Sequence, residues 1–318
     1  MPLKLVMMGT GTFALPAFRA LLDSPHDVRG LVTQPDRTGR GHHQHRNPLK
    51  ELALERGLTV LQPEKVNTPE SLDELRSLDA DLFVVAAYGQ ILKPDLLEIP
   101  RLGAVNLHAS LLPKYRGAAP VQYAVWNGET RTGVTIFQIE PKLDTGPMLG
   151  VVETEIGPKE TSGELHDRLA ELAAPLTLCV VDELEQGTVP RRPQPPGDFA
   201  KAPRFRKEQG EIDWSKSAEQ IGWHVRAMQP WPGPYTFVRV SDQSPQRVLI
   251  LDVEPASADD SGGVLAAGEI RVQDKRLFVG TGTEPVEVLR IQPAGKRAMA
   301  AEEYLRGRSL TGATFGNG

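Results

Sequence analysis

The chain has 318 residues, a net charge of −5 and 24% charged residues. That length allows about two domains of roughly 150 residues each, and no apolar run reaches the roughly 20 residues needed to cross a bilayer. The acidic balance advertises no nucleic-acid partner for the molecule as a whole. It is uneven, however: residues 1–200 hold 20 Lys and Arg against 26 Asp and Glu, and residues 201–318 hold 16 against 15. A near-neutral second half leaves room for a local basic face. The single cysteine, Cys179, excludes an internal disulfide and fits a reducing cytoplasm. Within the apolar residues 176–181 it is expected to be buried as a small hydrophobe.

The opening residues 1–9 are too short for a signal peptide's core plus cleavage site and read as a first strand. From there strands alternate with helices. Strands are expected over 3–9, 28–33, 59–61, 81–88, 104–108, 133–139 and 148–156, and helices over 14–22, 48–56, 69–78 and 119–126. The pattern argues for an α/β domain with a Rossmann-like, mostly parallel sheet. The strand expected over 81–88 is an unbroken apolar run from Leu82 onward, of the kind buried on both faces. Thr161-Ser162-Gly163-Glu164 opens a long helix with capping-box spacing.

Between Val189 and Arg206 the composition changes. Pro190, Pro193, Pro195, Pro196 and Pro203 make a stiff, extended connector, so the domains are expected over 1–189 and 207–318 with residues 190–206 linking them. A helix over 217–228 follows, with Ile221, Val225 and Met228 on one side. Short strands over 235–240, 248–253, 268–272, 276–279 and 286–291 then predict a small β-barrel, OB-like in type. The Gly-rich tail after Leu310 is expected to be disordered.

Several motifs could carry chemistry. Gly9-Thr10-Gly11-Thr12-Phe13-Ala14 partly matches a dinucleotide fingerprint. The acid that would hold a ribose at the end of the second strand is missing there, so a tight strand-to-helix turn is the better reading. Alternation in Ala104-Val105-Asn106-Leu107-His108 sends Asn106 and His108 to one face of a strand, where a buried polar pair is costly unless something uses it. Asp144 follows a strand, and sequence spacing alone does not bring it to that pair. After the apolar strand, Tyr88-Gly89-Gln90 fits either a slot for a flat ring or a plain turn. Residues 34–50 form a polar loop rich in Arg and His. His42-His43-x-His45 lacks the further ligands of a metal site, and no metal is expected.

Asn106-x-His108, followed by Ser110-Leu111-Leu112-Pro113 and Arg116-Gly117, resembles the signature of the folate-dependent formyltransferases. The run Arg116-Gly117-Ala118-Ala119-Pro120-Val121-Gln122 is most similar to the members that formylate methionine carried on initiator tRNA. The resemblance covers nearly the whole chain, including Gly210-Glu211-Ile212-Asp213-Trp214 and the segment 226–235. It implies transfer of a formyl group from 10-formyltetrahydrofolate, a cosubstrate, to the α-amine of methionyl initiator tRNA by direct amine attack.

It also implies a catalytic triad of Asn106, His108 and Asp144. Asn106 and a protonated His108 would donate to the oxyanion, while Asp144 orients His108 and helps remove the amine's proton. Folate would lie against Tyr88, Gln90, Ile91, Leu92, Ser110, Leu111, Leu112, Pro113 and Ile139. The tRNA would meet Arg40, His42 and His43, where the two histidines replace the usual lysines, and Lys207 near the connector. Neither a membrane nor an obligate protein partner is implied, and the location is cytoplasmic. Two alternatives share parts of this pattern: a formyltransferase for a nucleotide-linked amino sugar or small ribonucleotide, and a non-catalytic dinucleotide- or RNA-binding protein. Trp214, Trp223 and Trp231 are expected to pack rather than to stack on bases.

Overall fold

The computed structural model describes residues 1–36, 47–197, 199–240, 244–306, 308, 310 and 312–316. In chain order the first elements are β1 (Lys4–Gly9), α1 (Leu15–Leu22), β2 (Asp27–Val32), α2 (Pro48–Glu55), β3 (Thr59–Leu61), α3 (Pro69–Ser77), β4 (Leu82–Ala86), α4 (Pro94–Leu97) and β5 (Ala104–His108). Next come β6 (Arg116–Gly117), α5 (Pro120–Trp126), β7 (Arg131–Gln138), β8 (Met148–Glu155), α6 (Ser162–Gln186) and β9 (Lys201–Ala202). Local chemistry sets the helix starts. Asn47 caps α2 by accepting from the Lys50 amide, and Thr68 does the same for α3 at Ser71, each with Pro at the first turn. The capping box read at Thr161 forms: its amide donates to Glu164 Oε2 at 2.9 Å and its Oγ1 accepts from the Glu164 amide at 3.3 Å.

The sheet runs in the order β3-β2-β1-β4-β5-β7-β8. β1 through β5 pair in parallel, whereas β7 is antiparallel to both β5 and β8. The mostly parallel expectation holds, with an antiparallel edge added. Every residue of β4 is buried. The strand order reverses between β1 and β4, and ligands of open α/β sheets bind outside the strands' carboxyl ends at such a switch point. There Gly9–Ala14 is a tight turn whose Thr10 Oγ1, together with Gln34 Nε2, donates to the Tyr88 carbonyl at 3.5 and 3.0 Å.

The chain divides into two compact units. One comprises Met1–Pro120, Arg131–Glu155 and Leu165–Pro203; the other comprises Val121–Thr130, Ile156–Glu164 and Arg204–Gly318. The expected connector is extended, yet residues 190–203 belong to the first unit, held there by hydrogen bonds from Arg192 and from β9. Cys179 is exposed rather than buried. Its α6 neighbours Val180 and Val181 take the inward positions, so the apolar context predicted the wrong face.

In the second unit, α7 (Ala218–Ala227) starts with a Ser217/Gln220 capping box. β10 (Tyr235–Arg239), β11 (Gln246–Pro255), β12 (Ile270–Gln273), β13 (Arg276–Val279), β14 (Val286–Pro293), β15 (Met299–Ala300), α8 (Ala301–Leu305) and β16 (Thr314–Phe315) follow. The antiparallel sheet runs β12-β13-β14-β11-β10-β16. A bridge from Thr314 to Glu269, just before β12, joins its two ends, closing a small barrel.

The tail is therefore not disordered through residues 312–316. Phe315 stacks on Trp214 at 5.5 Å between ring centroids, and its amide donates to the Gly268 carbonyl at 2.8 Å. Burying an aromatic ring and pairing two strand edges outweigh the glycines around it. Trp214 packs as expected, and Trp223 lies against Gly128. Trp231 does not pack inward: it is 44% exposed.

Candidate active site

The parallel strand β5 carries Asn106 and His108 on one face, in register with Phe137 and Thr135 of β7, with Val85 of β4 on the other side of Asn106. Asn106 is half-buried. Its side-chain amide makes no hydrogen bond among the described residues, which leaves a donor that cannot ionise facing the site. His108 is buried, with Phe137 edge-on to its ring at 6.2 Å. Its Nε2 lies 3.0 Å from the Tyr115 carbonyl. A carbonyl only accepts, so Nε2 carries the proton in the neutral ring and Nδ1 presents a lone pair.

Asp144 comes to the same place. Its Oδ2 is 4.0 Å from His108 Nδ1 and accepts from the Gly117 amide at 2.8 Å. At 4.0 Å there is no direct hydrogen bond, so the Tyr115 carbonyl, not Asp144, fixes the imidazole's orientation. The reason is local: the Asp144 carboxylate is already directed to a backbone amide of β6. Burial holds the His108 imidazole below the ordinary histidine range; Asp144 and the Tyr115 carbonyl oppose that shift, and Arg116 adds to it. The resting ring is therefore neutral near pH 7, and a protonated His108 belongs to a later stage of any reaction.

Two glycines make the approach feasible. Gly117 has φ 125°, and a Cβ there would sit 2.7 Å from the Ala202 carbonyl oxygen. A Cβ on Gly146 would lie 1.8 Å from the Gln138 carbonyl oxygen, so the loop carrying Asp144 closes only with glycine at that position.

The residues expected to hold a flat heterocycle fall into two groups. Tyr88, Leu92 and Ile139 share one apolar cluster beyond β4. The Tyr88 hydroxyl is buried and has no hydrogen-bond partner among the described residues, and burial pushes its phenol pKa up. An orphaned buried polar atom fits a site for a polar ring. Ile91 is 80% exposed beside this cluster, an apolar side chain available to cover such a ring. The Gln90 side chain is committed elsewhere: its Oε1 accepts from the Val66 amide at 2.9 Å and its Nε2 donates to the Pro63 carbonyl at 3.2 Å.

Ser110, Leu111, Leu112 and Pro113 form the turn after β5, tied to β7 through Thr135, whose Oγ1 donates to the Ser110 carbonyl at 2.7 Å. Arg40, His42 and His43 lie outside the described residues. Lys207 is exposed at the start of a short 3₁₀ turn in the second unit. The roles of Tyr115, Gly117, Thr135 and Gln194, the last donating to the Asp144 and Gly146 carbonyls, were not legible in the sequence. The first two act through backbone groups, and the others carry no spacing signal. No helix among the described residues is long and apolar enough to cross a membrane.

Residues 3–181 match the formyl transferase model and residues 204–309 match the formyl transferase C-terminal domain. The methionyl-tRNA formyltransferase of Parafrankia sp. (strain EAN1pec) is 46% identical over 96% of this chain and 97% of that protein. That of Salinispora arenicola (strain CNS-205) is 42% identical over 97% and 98%. A crystal structure of WlaRD, a sugar 3N-formyl transferase in the presence of dTDP and 5-N-formyl-THF, has a TM-score of 0.65. It covers 93% of this chain and 100% of its own, and at 16% identity it shares the fold. The chain belongs to the formyl transferase family, among the methionyl-tRNA formyltransferases.

Proposed function

We propose that the protein transfers a formyl group from 10-formyltetrahydrofolate to the α-amino group of methionine on initiator tRNA, in the cytoplasm. The catalytic domain spans residues 1–189, a connector residues 190–206, and an OB-like domain residues 207–318 that helps hold the tRNA. The observation that carries this reading is the meeting within 4.0 Å of His108 and Asp144, 36 residues apart in the sequence, with Asn106 on the same strand face as His108.

10-Formyltetrahydrofolate supplies an activated one-carbon unit, so no protein side chain has to serve as nucleophile. Tyr88, Gln90, Ile91, Leu92, Ser110, Leu111, Leu112, Pro113 and Ile139 would hold it, Gln90 through its backbone. Attack of the methionine amine gives a tetrahedral intermediate, and Asn106 donates its amide N–H to the oxygen that gains charge. His108, neutral at rest, takes the amine's proton on Nδ1. The Tyr115 carbonyl and the Asp144 carboxylate then flank the imidazolium, which donates to the oxyanion. As the intermediate collapses the carbon–N10 bond breaks, the carbonyl re-forms, and the proton held by His108 passes to the departing N10 of tetrahydrofolate, which restores the neutral ring. Arg40, His42, His43 and Lys207 meet tRNA phosphates.

The test is formyl transfer to charged initiator tRNA, assayed beside nucleotide-linked amino sugars. Transfer to the tRNA that disappears in His108→Ala supports the reading, and transfer to the sugars alone would overturn it.

A further inference from the structure

Residues 190–203 are bonded to the catalytic unit at both ends. Arg192 and Met148 exchange both backbone hydrogen bonds, at 2.7 and 3.0 Å. At the other end β9 pairs in parallel with β6, the Arg116 amide donates to the Ala200 carbonyl at 3.1 Å and the Ala119 amide to the Ala202 carbonyl at 3.0 Å. Between these anchors lies Gln194. Its Nε2 donates to the carbonyls of Asp144 and Gly146 at 2.8 and 3.0 Å, and its Oε1 accepts from Arg116 Nη2 at 2.6 Å.

One side-chain amide thus joins the loop that carries Asp144 to the strand whose Gly117 amide holds the Asp144 carboxylate. Asp144 also has φ 51°, a left-handed backbone that is uncommon outside glycine, although aspartate tolerates it better than most residues. Gln194 binds the carbonyl of that very residue.

We infer that Gln194 is a positioning residue for formyl transfer, holding the Asp144 backbone so that its carboxylate stays between the Gly117 amide and His108. The inference rests on Asp144 being catalytic. Gln194 lines an open cavity of about 500 Å³ with Arg116, Glu140, Thr145 and Phe199. Water can therefore satisfy the two carbonyls when the amide is removed, and the fold survives the loss. What changes is the definition of the loop, and a misplacement of about 1 Å at reacting groups can cost on the order of 10²-fold in rate.

The test is a double-mutant cycle under single-turnover conditions with both substrates saturating, using Gln194→Ala and Gln194→Glu in the wild-type and Asp144→Asn backgrounds. The Glu variant keeps the size and the Arg116 contact but turns the donor into an acceptor facing two carbonyls. It separates loop positioning from the tie to Arg116. Both substitutions are expected to lower the rate by roughly 10²-fold, with KM for either substrate and the thermal midpoint little changed. In the Asp144→Asn background they should cause no further loss, because they act through the residue already disabled.

A wild-type rate for Gln194→Ala, a loss confined to KM, or an undiminished loss in the Asp144→Asn background would each overturn the inference. A wild-type rate for Asp144→Asn alone would instead overturn the catalytic reading of Asp144.

Discussion

At the scale of single residues, the proposed site leaves two groups uncommitted while tying down their neighbours. The Asn106 amide makes no hydrogen bond among the described residues, and His108 gives Nε2–H to the Tyr115 carbonyl so that Nδ1 stays available. Asn106→Ala should fold normally and lose about 2.7–4 kcal/mol of transition-state stabilisation, the usual effect of one missing oxyanion donor. Rapid-quench measurement of the transfer step checks this.

His108 makes a second prediction with a definite sign. Its folded-state pKa is depressed below the unfolded value of about 6.5. The neutral ring's contribution to stability is therefore fully present above that value and is lost as pH falls from about 6.5 toward the folded pKa. Denaturant titrations should show wild type losing more stability than His108→Gln between pH 6.5 and 5. For the same reason the acid limb of the rate profile should lie below the ordinary histidine range. A limb at or above about 6.5 would contradict the neutral resting state.

At the scale of elements, β5 was legible because alternation exposes a polar pair on an otherwise apolar strand. The role of Asp144 was visible only through family resemblance, since its meeting with His108 is tertiary. The backbone groups of Tyr115 and Gly117 have no signature in a sequence at all. Prolines in the connector gave no hint that Arg192, Gln194 and Ala202 fasten it to the catalytic unit.

Gly146 lets the loop backbone approach the Gln138 carbonyl, where a Cβ would sit 1.8 Å from the oxygen. Gly146→Ala forces the backbone to move two residues from Asp144. It should cost about 1–3 kcal/mol of stability, as overpacking does, and should lower the transfer rate as well. Chemical denaturation and the single-turnover assay read the two effects separately.

At the scale of the whole molecule, both units follow from patterning: a buried apolar run becomes the central β4, and short strands with turn residues become a barrel. Composition misjudged the barrel's last strand, because glycine content at 312–316 hid the Phe315 ring that packs on Trp214 beside the closing Thr314–Glu269 bridge. Phe315→Ala should destabilise the second unit by about 3–5 kcal/mol, the range for a buried aromatic truncated in a core. Calorimetry would show its transition moving to lower temperature.

The catalytic unit makes the sharper claim, that three side chains serve one reacting carbonyl. The most direct measurement is the single-turnover rate of formyl transfer to charged initiator tRNA for Asn106→Ala, His108→Ala, Asp144→Ala and the triple variant, with both substrates saturating. Side chains acting as one unit predict that the triple variant is hardly slower than the worst single one. Rates that multiply independently, or a single variant that keeps wild-type turnover, would contradict the account.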